Sequence, residues 1–374
     1  MSAVHRRLTS LCAAGLALAV LACTPAGSTA QAPQSLTPTE FAALSAALSE
    51  RGGFFDTDNL ISNEDSYLHA VSQLRTAKAE GGTYIGVGPD QNFSYIAAVR
   101  PNVAFIVDIR RDNLLEHALF KAAFSLARNR ADYLALLFGR RVPRDSAGWA
   151  AASVDSLVGW VARAPRDSAS DARVMAGIRG SPMGFGAEDI ATIARFHAAF
   201  IAEGPALRFN SFGRAPAPYY PDFHRLAVER DREGQQASFL ASEAAFRVVK
   251  DLEDRNLVVP VVGDFAGAKA LRALGDWMRE HGERLTAFYT SNVEQYLFRD
   301  GGFDVFAASV ARLPRAPNAV MVRSCFTCSA GHPAAMPGYH AVQLVQTVAS
   351  FGDLLAAGRL GSYRQLLTDG YITP

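Results

Sequence analysis

The sequence predicts an α/β fold built on a largely parallel sheet, and three observations carry that prediction. Short apolar runs of strand length, each closed by turn residues, recur at 83–87 and 103–108, within 256–265 and within 284–298. Amphipathic stretches of helical length stand between them. The order strand, glycine turn, helix, strand, helix over the first of these is a βαβ unit, which sets its strands parallel.

The bulk numbers agree. The chain has 374 residues, enough for one large α/β domain or two ordinary ones. Apolar residues make up 49% and charged residues 20%, too apolar for disorder. A net charge of +1, with both signs mixed along the chain, offers no basic stripe for nucleic acid, so no nucleic-acid partner is expected.

Residues 1–22 read as a signal peptide. His5, Arg6 and Arg7 precede an apolar run from Leu11 to Ala22 that is too short to span a bilayer. The "VLAC" at 20–23 resembles the lipobox of bacterial lipoproteins, which implies lipidation of Cys23; Leu21 departs from the usual small residue. Cleavage after Ala30, giving a soluble secreted protein, is the competing reading. The membrane enters only through such a lipid anchor. Residues 23–36, rich in Pro, Ser, Ala and Gln, form a tether, and 37–374 form a single domain.

The domain opens on a helix with Thr37 as cap, Pro38 at its first position and Glu40 completing a capping box. A polar cluster follows, with Asp56, Asp58, Asn59, Asn63 and Glu64; by composition alone it is a solvated loop. Thr83–Val87 is a buried strand, 88–92 a break, 93–100 a short helix, Val103–Asp108 a second strand and 113–124 a helix. Residues from about 140 to about 240 lose the strand–helix rhythm and read as a mostly helical insertion. The rhythm returns with a strand ending at Asp264, a helix over 268–282, a strand ending near Thr290 and a fifth strand over 318–324. The stretch "AVQLVQTVASFGDLLAAG" at 341–358 is expected as a final amphipathic helix. Cys325 and Cys328, in "SCFTCSAGH", are expected to form a local disulfide in an oxidising compartment. Two free thiols, or a zinc site with His332 that lacks a fourth ligand nearby, remain open, while Ser329 stands where haem attachment needs histidine. No resident metal is expected.

Ligands of open parallel sheets bind beyond the carboxyl ends of the strands, and four features fall there. Gly86, Gly88 and Asp90 make a turn that lets backbone approach a ligand closely. Asp108 ends the second strand, about 20 residues after the glycine turn, where a carboxylate can take both hydroxyls of a ribose. Asp264 and Phe265 offer a carboxylate for an exocyclic amine and an aromatic face for a base. Asn292 and Glu294 set polar groups between apolar runs. Taken singly, each is also an ordinary turn or helix cap. A small-molecule ligand of nucleoside type follows from their order on consecutive strand ends.

The order and placement of these features resemble class I S-adenosylmethionine-dependent methyltransferases. The phrases "YIGVGPDQNFSYI", "FIVDIRR", "VPVVGDFAG" and "FYTSNVEQYLF" also look like those of a group of uncharacterised bacterial proteins. The resemblance implies a Rossmann-like, methyltransferase-type parallel sheet with helices on both faces, and S-adenosylmethionine as cofactor. Gly86, Gly88 and Asp90 would face its methionine part, Asp108 its ribose, and Asp264 with Phe265 its adenine. Tyr289, Ser291, Asn292 and Glu294 would face the acceptor, with Glu294 as base and Asn292 and Tyr289 orienting. Asp58, Asn59 and Glu64 would lie over the pocket on the substrate side. Three departures stand against it: the turn "GVGPD" has two glycines instead of three, the antiparallel strands that close that sheet are not evident, and 140–240 interrupts the alternation. The cofactor is also cytoplasmic, whereas the leader implies export. A non-catalytic exported lipoprotein binding a nucleoside-like or other polar ligand, and a degenerate structural envelope protein, are the alternatives.

Overall fold

The structure is a computed structural model that describes residues 33–374 except Asp58, Ser146, Arg214, Pro216 and Ser329. The leader, the lipidation reading at Cys23 and the site reading at Asp58 lie outside the described residues.

Six strands form one sheet: β1 (Thr83–Gly86), β2 (Val103–Asp108), β3 (Val258–Val262), β4 (Leu285–Ser291), β5 (Arg315–Cys325) and β6 (Val342–Thr347). Their order is β3-β2-β1-β4-β5-β6, and every neighbouring pair is parallel except β5 with β6. The protein is therefore α/β with a mostly parallel, Rossmann-like sheet. The strands β1 to β3 are buried throughout, which explains why their sequences are unbroken apolar runs instead of alternating ones. The chain builds outward from β1 to β3, then crosses back to lay β4 on the other side of β1. Right-handed crossovers put helices Gln91–Val99, Arg111–Leu126 and Glu243–Asp254, which pack on one another, over one face. Helices Ala270–Glu280, Val293–Asp300 and Phe303–Arg312 cover the opposite face.

Both sheet edges are closed. The strand β3 lies at one edge, where Pro260, with no N–H to donate, is tolerated. Helix Pro38–Leu48 covers that edge, its Ser45 hydroxyl donating to the Pro260 carbonyl at 2.5 Å. The capping box of Thr37 and Glu40 forms as the sequence indicates. At the other edge the C-terminal residues return, and the Ile372 N–H donates to the Val345 carbonyl at 2.6 Å. The insertion holds helices Val154–Arg163, Ser168–Arg179, Ala187–Glu203 and Phe223–Val228, two of which pack on helix Arg111–Leu126.

Segment 341–358 departs from expectation. Its first part is β6, and the helix begins only at Val348 (Val348–Ala356). Gln343 and Gln346, three apart, read as the polar stripe of a helix. In the strand they point to opposite faces, and each is buried against a polar partner on β5. Gln343 Nε2 donates to Ser324 Oγ at 2.9 Å, and Arg323 Nη1 donates to Gln346 Oε1 at 2.7 Å. The sheet thus gains an antiparallel closing strand that the sequence reading had found missing. The strand boundaries also tighten: β1 ends at Gly86 and β3 at Val262, one and two residues short of the expected ends.

The turn between β1 and helix Gln91–Val99 is tied by Asn92. Its Nδ2 is shared among the carbonyls of Val87 (2.9 Å), Gly88 (3.1 Å) and Pro89 (2.8 Å), while its Oδ1 accepts from the Tyr84 hydroxyl at 2.8 Å. A Cβ at Gly86 would collide with that Oδ1, so the glycine is demanded by packing inside the turn. Asn92→Ala would strand these buried groups, and thermal denaturation is expected to record a loss of about 2–4 kcal/mol.

Candidate functional site

The strand order reverses between β1 and β4, and ligands of open α/β sheets bind at such a point. Here the chain itself crosses that end of the sheet. The segment joining helix Pro38–Leu48 to helix His69–Thr76 forms a strap that meets the strands in nearly their spatial order. The Glu50 N–H donates to the Val262 carbonyl at 2.9 Å, and the Glu50 carboxylate accepts the N–H groups of Asp264 and Lys269, both at 3.1 Å. The Gly53 N–H donates to the Ile109 carbonyl, just past β2, at 2.8 Å. Thr57 pairs with Ser211 of the insertion. Beyond Glu64, Asp65 accepts the N–H groups of His340 and Ala341 ahead of β6, and Ser66 Oγ donates to the Ala341 carbonyl at 2.6 Å.

Glu64 reaches the reversal point. Its Oε1 accepts the Tyr289 hydroxyl at 2.7 Å and the Ser291 hydroxyl, and its Oε2 accepts Gln343 Nε2 at 3.1 Å. Gln91 Nε2 donates to the Tyr289 oxygen at 3.2 Å. Glu64 is 1% exposed and, among the described residues, pairs with no cationic side chain. Burial pushes its carboxyl above the usual carboxylate range, and the donors from Ser291, Tyr289 and Gln343 only partly offset this. Ser291 sits at φ +54°, the left-handed region that a serine rarely occupies. Such backbone costs on the order of 1–3 kcal/mol and persists where the surroundings enforce it, often at functional sites. Ser291, Asn292 and Asn59 are half-buried, the open side of an otherwise closed cluster. Gly88, at φ +84°, completes it, since a Cβ there would lie 3.1 Å from Gln91 Nε2 and 3.5 Å from Asn59 Nδ2.

The residues singled out in the sequence thus separate into two sets. Gly88, Asn59, Glu64, Tyr289, Ser291 and Asn292 gather at the reversal point. Asp108 stands at the end of β2, but both its oxygens are engaged by Arg110: Nη2 to Oδ2 at 3.0 Å, and Nε and the backbone N–H to Oδ1 at 3.2 and 2.8 Å. Asp264 Oδ1 accepts the Ala266 N–H at 2.8 Å and shapes its own turn. Phe265 is 3% exposed and packs on Phe288 and Phe306, inside the core and away from any base-stacking position. Glu294 is ion-paired with Arg323 and accepts the Thr290 hydroxyl at 3.0 Å, so its lone pairs are committed. Asp90 lines a cavity of about 10 Å³ with Tyr67, Gln91 and Ser238, and burial pushes its carboxyl up to about 7. His117 Nε2 meets the Gly88 carbonyl at 3.0 Å; burial pushes this imidazole down to about 4, so it is the neutral donor there. As arranged, Asp108 is held by Arg110 and Phe265 is buried, so neither presents the ribose or adenine contact that the resemblance implies.

Sequence reasoning missed Gln91, Arg110, Arg323 and Gln343. Gln91 and Arg110 were in view, adjoining residues already singled out. Nothing local marked Arg323 or Gln343, whose partners lie 29 and 279 positions away. Cys325 and Cys328 form the expected disulfide, and His332 Nε2 lies 3.2 Å from the Leu367 carbonyl.

The chain matches the family described as a domain of unknown function (DUF7790) over residues 60–150 and 198–372, most of its length, and belongs to that family. No curated protein matches it. The two matched segments contain the whole sheet and the cluster around Glu64 except Asn59, which lies one residue before the first; helices Val154–Arg163 and Ser168–Arg179 fall between them.

Two substitutions test these assignments. Glu294→Ala leaves the Arg323 guanidinium, 1% exposed, without its carboxylate; urea denaturation is expected to record a loss of about 3–5 kcal/mol. For Asp90 the folded-state value is about 7 and the ordinary aspartate value 3.8, so between those pH values the folded state holds the proton that the unfolded state has released. Its contribution therefore destabilises progressively as pH rises through that window and levels off above about 7. Asp90→Asn is expected to gain stability over the parent at pH 8, on the order of 2 kcal/mol, with the advantage vanishing near pH 4.

Proposed function

We propose that the protein binds a small polar ligand, bearing hydroxyl or amine donors, in the crevice between β1 and β4, with Glu64 as the group that anchors it and exchanges its proton. The supporting observation is the Glu64 carboxyl itself: buried, without a cationic partner among the described residues, and held by Tyr289, Ser291 and Gln343 at the place where the sheet order reverses. A carboxyl that burial raises above its normal range is suited to taking and returning a proton. Half-buried Ser291, Asn292 and Asn59 supply the orienting contacts from the open side.

Methyl transfer from S-adenosylmethionine is the second reading. It is favoured by the carboxylate ending β2 and the antiparallel strand β6 beside β5, which are compatible with the sheet that the resemblance implies. In that reading Arg110 releases Asp108 when the ligand enters, and Glu64 takes the acceptor-side role first assigned to Glu294. Export, with or without a lipid at Cys23, is part of both readings, and the Cys325–Cys328 disulfide supports an oxidising compartment.

Calorimetry on the purified protein, with S-adenosylmethionine, its demethylated product and adenosine, tests both. Micromolar binding that is lost in Asp108→Ala supports the methyl-donor reading. Failure of all three to bind a folded protein removes it. A thermal-shift screen of small polar metabolites then tests the crevice, and a stabilising ligand whose effect survives intact in Glu64→Gln would place binding elsewhere.

A further inference from the structure

A second cavity lies away from the crevice. It has a volume of about 380 Å³ and is lined by Arg141, Val142, Pro143, Arg144, Trp160, Ala164 and Pro165. Two similar pentapeptides build it, "RVPRD" at 141–145 and "RAPRD" at 163–167. They are held antiparallel, with Arg140 bridging Arg166, the Arg141 N–H donating to the Pro165 carbonyl at 3.0 Å and the Asp167 N–H donating to the Gly139 carbonyl at 2.9 Å. The prolines fix the backbone on both walls. Trp160 is braced from behind by Trp149, ring centroids 4.9 Å apart.

The charged residues of the lining are both arginines, while Asp145 and Asp167 close the two pentapeptides outside it. Among the described residues, Arg141 and Arg144 have no ion pair and donate no side-chain hydrogen bond, and both are exposed. Arg166, the bridge partner of Arg140, lies outside the lining, its Nη2 donating to the Ala202 carbonyl at 3.4 Å. Arg140 also lies outside the lining, with its Nε buried and unpartnered; burial first, and then the Arg166 charge, push its guanidinium down. Asp167 is occupied as a helix cap, accepting from the Ala169 N–H and the Ser170 hydroxyl. Two exposed guanidiniums on one cavity lining attract an anion.

The geometry points to this cavity as a binding site for a phosphate-bearing anion, gripped by Arg141 and Arg144, with a ring or apolar portion resting on Trp160 between the two prolines. Guanidinium forks match phosphate oxygens in pairs, and the volume suits a small organic molecule. Phosphate supplies the acceptor oxygens, Trp160 the flat apolar face, and the proline walls make the grip largely pre-formed. Half of the site, Arg141 to Arg144, falls within the family match, and the other half, Trp160 to Pro165, falls between its two segments. The site is thus completed by a part of this chain that the family match does not include.

The test uses the full chain with three probes: inorganic phosphate, adenosine monophosphate, and vesicles of phosphatidylglycerol against phosphatidylcholine. Binding is read by calorimetry and by quenching of tryptophan fluorescence. Saturable binding of adenosine monophosphate, tighter than phosphate and weakened about tenfold or more by Arg141→Ala or Arg144→Ala, is expected. Trp160→Phe should abolish the quenching and narrow the gap between the two free probes. Binding confined to the anionic vesicles, and equally lost in both arginine variants, identifies the phosphate as that of a lipid headgroup. Absence of binding to every probe, or affinities unchanged in both variants while circular dichroism reports a folded chain, overturns the assignment.

Discussion

The carboxyl end of a buried parallel sheet leaves a row of peptide groups that need partners, and this chain supplies many of them from its own N-terminal segment. The strap from Glu50 to Ser66 meets β3, the end of β2, the reversal point and the approach to β6 in turn. Leaving such groups buried without partners costs about 1–3 kcal/mol each, so the strap is fixed by several bonds along its length and not by one. Its path decides which side chains can meet. Glu50 is spent on the turn after β3, and Glu64 is delivered to β4, more than two hundred positions away in sequence.

Two buried glutamates near the end of β4 show how environment assigns a role. Glu294 faces Arg323, Gln346 and Thr290 on one side of the sheet, a closed ion-pair network in which every charge has a partner. Glu64 faces Tyr289, Ser291 and Gln343 on the other, a set of neutral donors without a cation. The first arrangement ties its carboxylate to a fixed cationic partner, and in the second burial raises the cost of ionising Glu64. The difference lies in the neighbours, since both residues begin as glutamates close to the same strand end. The left-handed backbone of Ser291 belongs to the same constraint, because it turns the hydroxyl toward Glu64 where β4 gives way to its helix.

The insertion is tied to this end of the molecule as well. It pairs with the strap through Thr57 and Ser211 and again through Arg225, whose Nη2 donates to Asp65 at 3.1 Å. The arginine-lined cavity lies at the start of the insertion, where two proline-containing segments pair back on each other. The sheet and the Glu64 cluster except Asn59 lie within the family match, while one wall of the arginine cavity lies between its segments.

The sequence by itself determined the α/β class, the strands from β1 to β5 within a few residues, the capping box at Thr37, the helical insertion and the pairing of Cys325 with Cys328. These are local properties: apolar runs, turn residues and short spacings act within a few positions of where they are read. It also marked Glu64, Tyr289, Ser291 and Asn292, since polar residues set among apolar runs at strand ends are visible without a fold. Tertiary structure alone decided what those groups face. Gln343 and Gln346 mimicked a helical stripe because their partners, Glu64 and Arg323, stand on different elements. Asp108 reads as a free carboxylate until Arg110 folds back on it, and Phe265 reads as an exposed platform until Phe288 and Phe306 close over it. A side chain's type is written in the chain, but its charge state and its partners depend on which distant atoms the folded backbone brings within about 3 Å of it.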